Sequence, residues 1–342
     1  MKNEEMKNEE IKNEVSKFTI GFDHRDIPEI HERWDKIFDT QQWSEGQFTK
    51  EFESEWSNWN NLDSVAFSSW AGGAMAVLDY IGVKNEVVLC PSNTFMATPL
   101  SVVNSGGNVK FVDCNKNDLC MSFEDFKDKA EQHNPKAVWI VHIGGHIAFD
   151  IEKISKYCKE NNIWLIEDCA HAHGAEWNGK KPGSWGDAGI YSMYATKTIS
   201  TGEGGILVSK HKEIIEHSLK YRNYGKFEHV IDGLNYRMSE FTAVLGVVQT
   251  RRMKEIIAWK NSYAKYYLDP NYPDRLMLPE GMISGYYKYI VFEKLDKSTG
   301  KVYDEPCHRI MKHDVNLPNT DWVANNHWCV PLYYHPEVEV EK

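Results

Sequence analysis

Between Val65 and Val208 the chain alternates short apolar runs with segments of helical periodicity, and no other feature restricts its possible folds so tightly. The runs Val65-Ala66-Phe67, Val87-Val88-Leu89-Cys90, Val109-Lys110-Phe111-Val112, Ala137 to Val141 and Trp164-Leu165-Ile166 are too short for helices and read as strands. Helical spacing fills the intervals: Ala71 to Ile81 closed by Gly82, Thr98 to Asn104, Phe123 to Gln132 and Ile151 to Glu160. Apolar strands separated by helices predict an α/β fold, with a mainly parallel central sheet covered by helices on both faces.

Two helices are expected ahead of this region. One starts at Ile27 behind Asp26 as N-cap with Pro28 just inside, and the other carries Phe48, Phe52, Trp56 and Trp59 on one face. Beyond Arg237 a long helix runs to about Tyr267, and weaker signals at Tyr286 to Phe292 and around Val330 indicate a small α+β unit. The first fifteen residues repeat a charged unit, MKNEE-MKNEE-IKNEV, with too little apolar surface to bury, and read as a disordered or frayed helical tail. The division that follows is a tail over 1–17, a large domain over 18–245 and a smaller C-terminal domain over 246–342.

With 342 residues, 42% of them hydrophobic, the chain can bury a substantial core. A formal charge of -11 argues against general nucleic-acid binding. No apolar run is long enough to cross a membrane, and the N-terminus lacks a signal-like apolar segment. Seven cysteines are scattered without a CxxC pair, so a reduced, cytoplasmic protein is expected.

The chemistry concentrates between Trp164 and Ser209. The Trp164 strand delivers Glu167 and Asp168 at its carboxyl end, where ligands bind open α/β sheets. The run Gly189 to Tyr194 delivers Lys197, and the turn Gly202-Glu203-Gly204-Gly205 leads into Ile206-Leu207-Val208. Taken singly, Asp168 is an ordinary cap or turn residue and Lys197 an ordinary surface charge. Together they point to pyridoxal phosphate catalysis, in which a lysine holds the cofactor as a Schiff base and a carboxylate keeps the pyridine nitrogen protonated. The segment Ser68-Ser69-Trp70-Ala71-Gly72-Gly73 joins a strand to a helix N-terminus, which favours a phosphate. Ordinary capping by Ser68 or Ser69 explains the same residues equally well. Ser192 offers a second hydroxyl contact. A metal site built from His142, His146, Asp168, Cys169, His171 and His173 is disfavoured, because Gly144-Gly145 breaks any helix that would align the first two and no HExxH is present. A nicotinamide-binding domain lacks its GxGxxG after the first strand; the glycines at 202–205 precede a strand instead.

Several motifs occur in one order: Pro91-Ser92-Asn93-Thr94-Phe95-Met96-Ala97-Thr98, Val141-His142-Ile143-Gly144-Gly145, Glu167-Asp168-Cys169-Ala170-His171-Ala172-His173-Gly174-Ala175, Gly186 to Ser192, Thr196 to Gly205, Arg222 to Gly225 and Gly233 to Met238. In them the chain resembles, from about Gly21 to Pro336, the DegT/DnrJ/StrS family of sugar aminotransferases, a branch of the fold-type-I pyridoxal phosphate enzymes. The resemblance implies that Lys197 carries the cofactor and moves the proton, while Asp168 pairs with the pyridine nitrogen. His171 stands beside the ring where the family has glutamine, Phe95 stacks on the ring, and Ser192 with the backbone at Ala71 and Gly72 holds the phosphate. Asn235 would reach that phosphate from a partner subunit, making the active unit a homodimer.

The implied reaction moves an amino group from an amino acid, with glutamate the expected donor, to a keto-sugar, usually nucleotide-linked, in amino-sugar or polysaccharide biosynthesis. A lysine at 197, where some members carry histidine, favours transamination over dehydration. Three positions depart from the family pattern. Trp70-Ala71 replace Gly-Thr, Ala195 replaces proline, and the segment between His313 and Trp322 is short, so an abbreviated acceptor region is expected. A small phosphorylated ketone as acceptor, or a cofactor-binding homologue without turnover, are the alternatives.

Overall fold

The computed structural model describes residues 20–226, 229–295 and 298–340; the repeated N-terminal tail lies outside them. Two helices open the described chain, α1 (Ile27–Thr40) and α2 (Gln47–Asn60). Asp26 precedes α1 as expected but makes no side-chain cap bond. Its carboxylate is taken by the guanidinium of Arg252, whose Nε donates to Oδ2 at 2.9 Å, because a charge-assisted forked contact outcompetes a neutral N–H. The N-terminus of α2 is capped from a distance. Glu240 accepts from the backbone N–H groups of Gly46, Phe48 and Thr49 at 3.0, 2.7 and 3.1 Å, filling positions that the sequence leaves without a local acceptor.

The strands are β1 (Asp63–Phe67), β2 (Val87–Pro91), β3 (Asn108–Val112), β4 (Ala137–Val141), β5 (Trp164–Asp168), the short β6 (Glu176–Trp177), β7 (Ala188–Ser192) and β8 (Gly205–Ser209). Between them lie α3 (Trp70–Ile81), α4 (Ala97–Asn104), α5 (Phe123–His133) and α6 (Ile151–Glu160), each within a residue or so of its sequence expectation. Seven strands form one sheet in the order β1-β8-β7-β5-β4-β2-β3. Only β8 runs against its neighbours, β1 and β7; the other pairings are parallel. The mainly parallel sheet is therefore as anticipated.

Alternation along the strands sorts side chains to two faces. Val65, Phe67 and Leu207 pack with Ala74, Val77 and Leu78 of α3, whereas Ala66, Ile206 and Val208 pack with Phe52 and Trp56 of α2. Both faces are buried, which is why the strands are apolar throughout instead of alternating. A helix that the sequence reading passed over, α7 (Lys212–Tyr221), follows β8 and covers the α3 face through Ile214 and Tyr221.

The long helix α8 (Glu240–Tyr263) is capped by Ser239 and passes into a π-helical turn, Ala264–Leu268. The remaining chain adds β9 (Met282–Ile283), which pairs with β6, and the hairpin-like pair β10 (Tyr289–Val291) and β11 (Trp328–Val330). Two short helices, α9 (Cys307–Ile310) and α10 (Pro318–Asn325), are tied to the main sheet. Ser92 Oγ lies 2.7 Å from His308 Nδ1, and the Cys307 thiol donates to Thr94 O at 3.0 Å. Asp113, just past β3, accepts from Asn319 N, Thr320 N and Thr320 Oγ1 at 3.0, 2.6 and 2.7 Å. That carboxylate does for α10 what Glu240 does for α2.

Replacing Asp113 with alanine strands these buried donors. Unfolding in urea should show a loss of about 2–4 kcal/mol relative to wild type; an unchanged midpoint would show that α10 does not depend on this cap.

Candidate active site

At the end of β5 adjacent acids point to opposite faces of the sheet. Glu167 is fully buried and accepts from Gly183 N, Trp185 N and Gly186 N at 2.7, 2.8 and 2.6 Å. His142 Nε2 stands 2.9 Å from the same carboxylate, and its Nδ1 accepts from Ala148 N at 3.1 Å. The acceptor role of Nδ1 places the ring hydrogen on Nε2, so His142 donates to Glu167. Glu167 therefore locks the loop that leads into β7, and leaves the other face to Asp168.

Asp168 is held by Thr98 Oγ1 at 2.8 Å and by Ala170 N at 3.0 Å. Burial pushes its pKa above the usual carboxylate value, against those two hydrogen bonds and the charge of Lys197. Lys197 follows β7 on a turn closed by its own N–H to Tyr194 O at 2.9 Å. Desolvation lowers its pKa to about 8, with Asp168 opposing the shift and Lys288 adding to it. Its ammonium group stands 4.6 Å from the centroid of the Tyr287 ring. His171 packs under that same ring, 4.2 Å between centroids, and stacks on Tyr303 at 5.8 Å. Burial drives its pKa well below the ordinary imidazole value, so it is neutral.

These side chains surround a cavity of about 550 Å³. Phe95, Asp168, His171, Ser192 and Lys197 all line it, joined by Trp70, Tyr287, Lys288, Lys301 and Tyr303. Phe95 is 66% exposed at its mouth. The other three expected residues lie elsewhere. Ala71 is exposed at the start of α3. Gly72 has its N–H directed at Ser69, 3.4 Å from Oγ, the ordinary capping arrangement; a Cβ there would meet Phe67 and Tyr236 at 2.9 Å. Asn235 is exposed, its Oδ1 accepting from Arg237 N at 3.2 Å, and does not line this chain's own cavity.

Trp70, a departure from the expected pattern, turns inward. Its Nε1 donates to Ile190 O at 3.2 Å and its ring lies 5.4 Å from Trp139. The indole thus occupies core space that the sheet provides. Tyr287 and Lys288 carry no mark as site residues in the sequence, because the run Tyr286 to Phe292 shows only strand periodicity, and Tyr303 lies in a stretch without any periodic signal.

Two buried groups bring metal-ligating atoms within 4.8 Å of one another, Asp118 with Cys120 and His146, and His142 with Glu167 and Cys169. In each the carboxylate already accepts backbone N–H groups: Cys120 N and Phe149 N for Asp118, and the loop 183–186 for Glu167. They read as hydrogen-bonded structural clusters.

A lysine of lowered pKa, a buried carboxylate held by two hydrogen bonds and a neutral imidazole around a cavity of ligand size match what a pyridine aldehyde cofactor needs, and an α/β sheet with this site at its strand ends defines a fold-type-I pyridoxal phosphate transferase scaffold. The chain belongs to the DegT/DnrJ/EryC1/StrS aminotransferase family, whose model matches residues 25–270. The family's aminotransferases depend on pyridoxal 5'-phosphate. GDP-perosamine synthase of Vibrio cholerae is 34% identical over 233 residues, 66% of this chain and 62% of that protein. UDP-4-amino-4,6-dideoxy-N-acetyl-beta-L-altrosamine transaminase of Campylobacter jejuni subsp. jejuni serotype O:23/36 (strain 81-176) is 31% identical over 196 residues, 55% of this chain and 52% of that protein. The chain thus aligns with less than two thirds of the length of these relatives. In three dimensions the fold matches the DegT DnrJ EryC1 StrS aminotransferase from Brucella abortus with a TM-score of 0.85 at 20% identity, over 92% of each chain.

The lowered pKa of Lys197 has a signed consequence. Its amine is protonated below about 8 and neutral above, so in cofactor-free protein its acylation rate should rise with pH through a midpoint near 8, read by peptide mapping. Asp168→Asn removes the charge that opposes the shift and should move the midpoint lower; a midpoint in the ordinary lysine range would contradict the burial argument.

Proposed function

We propose that this protein is a pyridoxal phosphate-dependent aminotransferase that takes an amino group from an amino acid, glutamate as the favoured donor, and gives it to a keto-sugar linked to a nucleotide. The observation that carries this is the pairing of Lys197 with Asp168 in the wall of one cavity, with the Lys197 pKa lowered toward the neutral amine that the chemistry requires. The cofactor, when bound, supplies an electron sink for the carbanion formed at the substrate carbon. Lys197 Nζ, as a neutral amine, would hold the cofactor through its aldehyde carbon with loss of water and, once displaced there by the donor's amino group, would be free to take and return the proton at the substrate carbon. Asp168, fixed by Thr98 and Ala170, would pair with the ring nitrogen. His171, packed against Tyr287 and Tyr303, would stand beside the ring, and these side chains would exclude water.

The names of the curated relatives, GDP- and UDP-sugar enzymes, support a nucleotide-linked acceptor and a place in amino-sugar biosynthesis. A homodimer belongs to the same reading. Asn235 is exposed and outside its own cavity, beside the exposed apolar side chains of Tyr224 and Leu234, which suits a residue that completes the phosphate site of a second subunit together with Ser192 and the α3 N-terminus at Ala71 and Gly72. The division near residue 245 into a large cofactor-binding part and a smaller C-terminal part also belongs here. A reducing, cytoplasmic setting is supported by seven cysteines that are all free and buried.

Borohydride reduction of the cofactor-loaded protein should leave a pyridoxyl group on Lys197, and glutamate should bleach the absorption of the lysine-bound cofactor before reduction. An unmodified Lys197 would remove the proposal. For the shared site, mixtures of K197A and N235A subunits should regain activity that neither variant shows alone; continued inactivity of the mixture would argue that each site is complete within one chain.

A further inference from the structure

Beside the large cavity lies a smaller one of about 130 Å³, and the two share Thr196, Lys197, Tyr287 and Lys288 in their walls. Lysines 197, 260 and 288 and threonines 196, 198 and 299 line the smaller space, and no carboxylate does among the described residues. Lys260, from α8, is 5% exposed and donates one hydrogen bond, to Tyr286 O at 3.0 Å. An ammonium group has three donors, so two remain unused. Thr198 is 8% exposed, and its hydroxyl is buried without a partner among the described residues. No ion pair involves any of the three lysines among the described residues. The Lys197 and Lys288 ammonium groups stand 4.6 and 5.1 Å from the Tyr287 ring centroid, so both cations lie against one ring.

Gathering cations and an unmatched hydroxyl in a buried recess is costly, and an anion that enters relieves the cost. Burial, with Lys288 second, lowers the Lys260 pKa to about 7, which registers that cost. The volume is below the roughly 300 Å³ of ordinary ligand pockets, too small for a nucleoside or a sugar ring and suited to a carboxylate on a short chain.

We propose that this cavity is the subsite for a carboxylate of the amino-acid donor, with Lys260, Lys288 and Thr198 as the residues that bind it. The inference rests on the aminotransferase reading and adds to it the basis of donor choice. A dicarboxylic amino acid reacting at Lys197 places an anion within reach of the shared wall, where Lys288 receives it with Lys260 and Thr198 of the smaller cavity beyond. Neutral amines gain nothing there.

The test uses cofactor-loaded wild type, K260M, K288M and T198V, with cofactor absorption as the check on folding and loading. Binding of glutarate, a non-reacting dicarboxylate, and of L-glutamate is measured by spectral titration, and KM for a sugar-nucleotide acceptor separately. K260M and K288M should each weaken glutarate and glutamate by about tenfold or more, T198V by a few-fold, with acceptor KM unchanged. Wild-type glutarate and glutamate affinities in spectrally normal variants would overturn the proposal. So would a loss confined to acceptor KM, which would assign the cations to a phosphate of the acceptor. Failure of wild type to react with any amino acid would instead sink the aminotransferase reading, since glutarate binding is read without turnover.

Discussion

A single buried carboxylate organises the carboxyl end of the sheet. Glu167 accepts three backbone N–H groups from the loop 183–186 and a fourth hydrogen bond from His142. A carboxyl group that deep is tolerable only with its hydrogen-bonding capacity filled, and filling it fixes where the loop ends and β7 begins. From that point the register of β7 on β5 sets Asp168 opposite Ile190, and the turn after β7 places Lys197. The spacing between acid and lysine is thus a consequence of a contact on the opposite face.

The same device recurs where the chain must be tied across long distances. Glu240 caps α2 and so holds the N-terminal helices against α8, while Asp113 caps α10 and holds the C-terminal segment against β3. Each inserts a negative charge at a helix N-terminus, where the dipole and the free N–H groups favour it. The consequence for the site is indirect. With α9 and α10 pinned to the ends of β2 and β3, the stretch before them carries Lys301 and Tyr303 over the cavity. The segment between His313 and Trp322 is anchored at Thr320 by Asp113, and Tyr303, ahead of it, supplies part of the cover on His171.

Charge is distributed unevenly about this centre. A chain of net charge -11 surrounds Lys197 with Lys260, Lys288 and Lys301. Desolvation and the Lys288 charge together lower the Lys197 pKa, whereas Asp168 alone pulls the other way. Like-charge crowding is costly to fold and favourable to an arriving anion, and both effects come from the same low-dielectric surroundings.

Much of this was readable from residues alone. Periodicity located the strands from Val65 to Val208 and the helices between them, because both faces of a parallel sheet demand apolar residues and the crossover helices demand amphipathic ones. Motif order marked Phe95, Asp168, His171, Ser192 and Lys197, which the fold brings to one cavity. The capping of α1 by Asp26 failed, since local sequence cannot reveal that Arg252, more than two hundred residues later, claims that carboxylate. Tyr287 and Lys288 escaped for the same reason: a strand pattern records which side chains are apolar, not what they meet. The sequence by itself therefore determined the α/β alternation and the chemical pair, because periodicity and residue type are local properties. Only the tertiary structure decided the distances and the pKa displacements, and placed three lysines around a second cavity, because burial and cross-chain contact exist only once the chain has closed on itself.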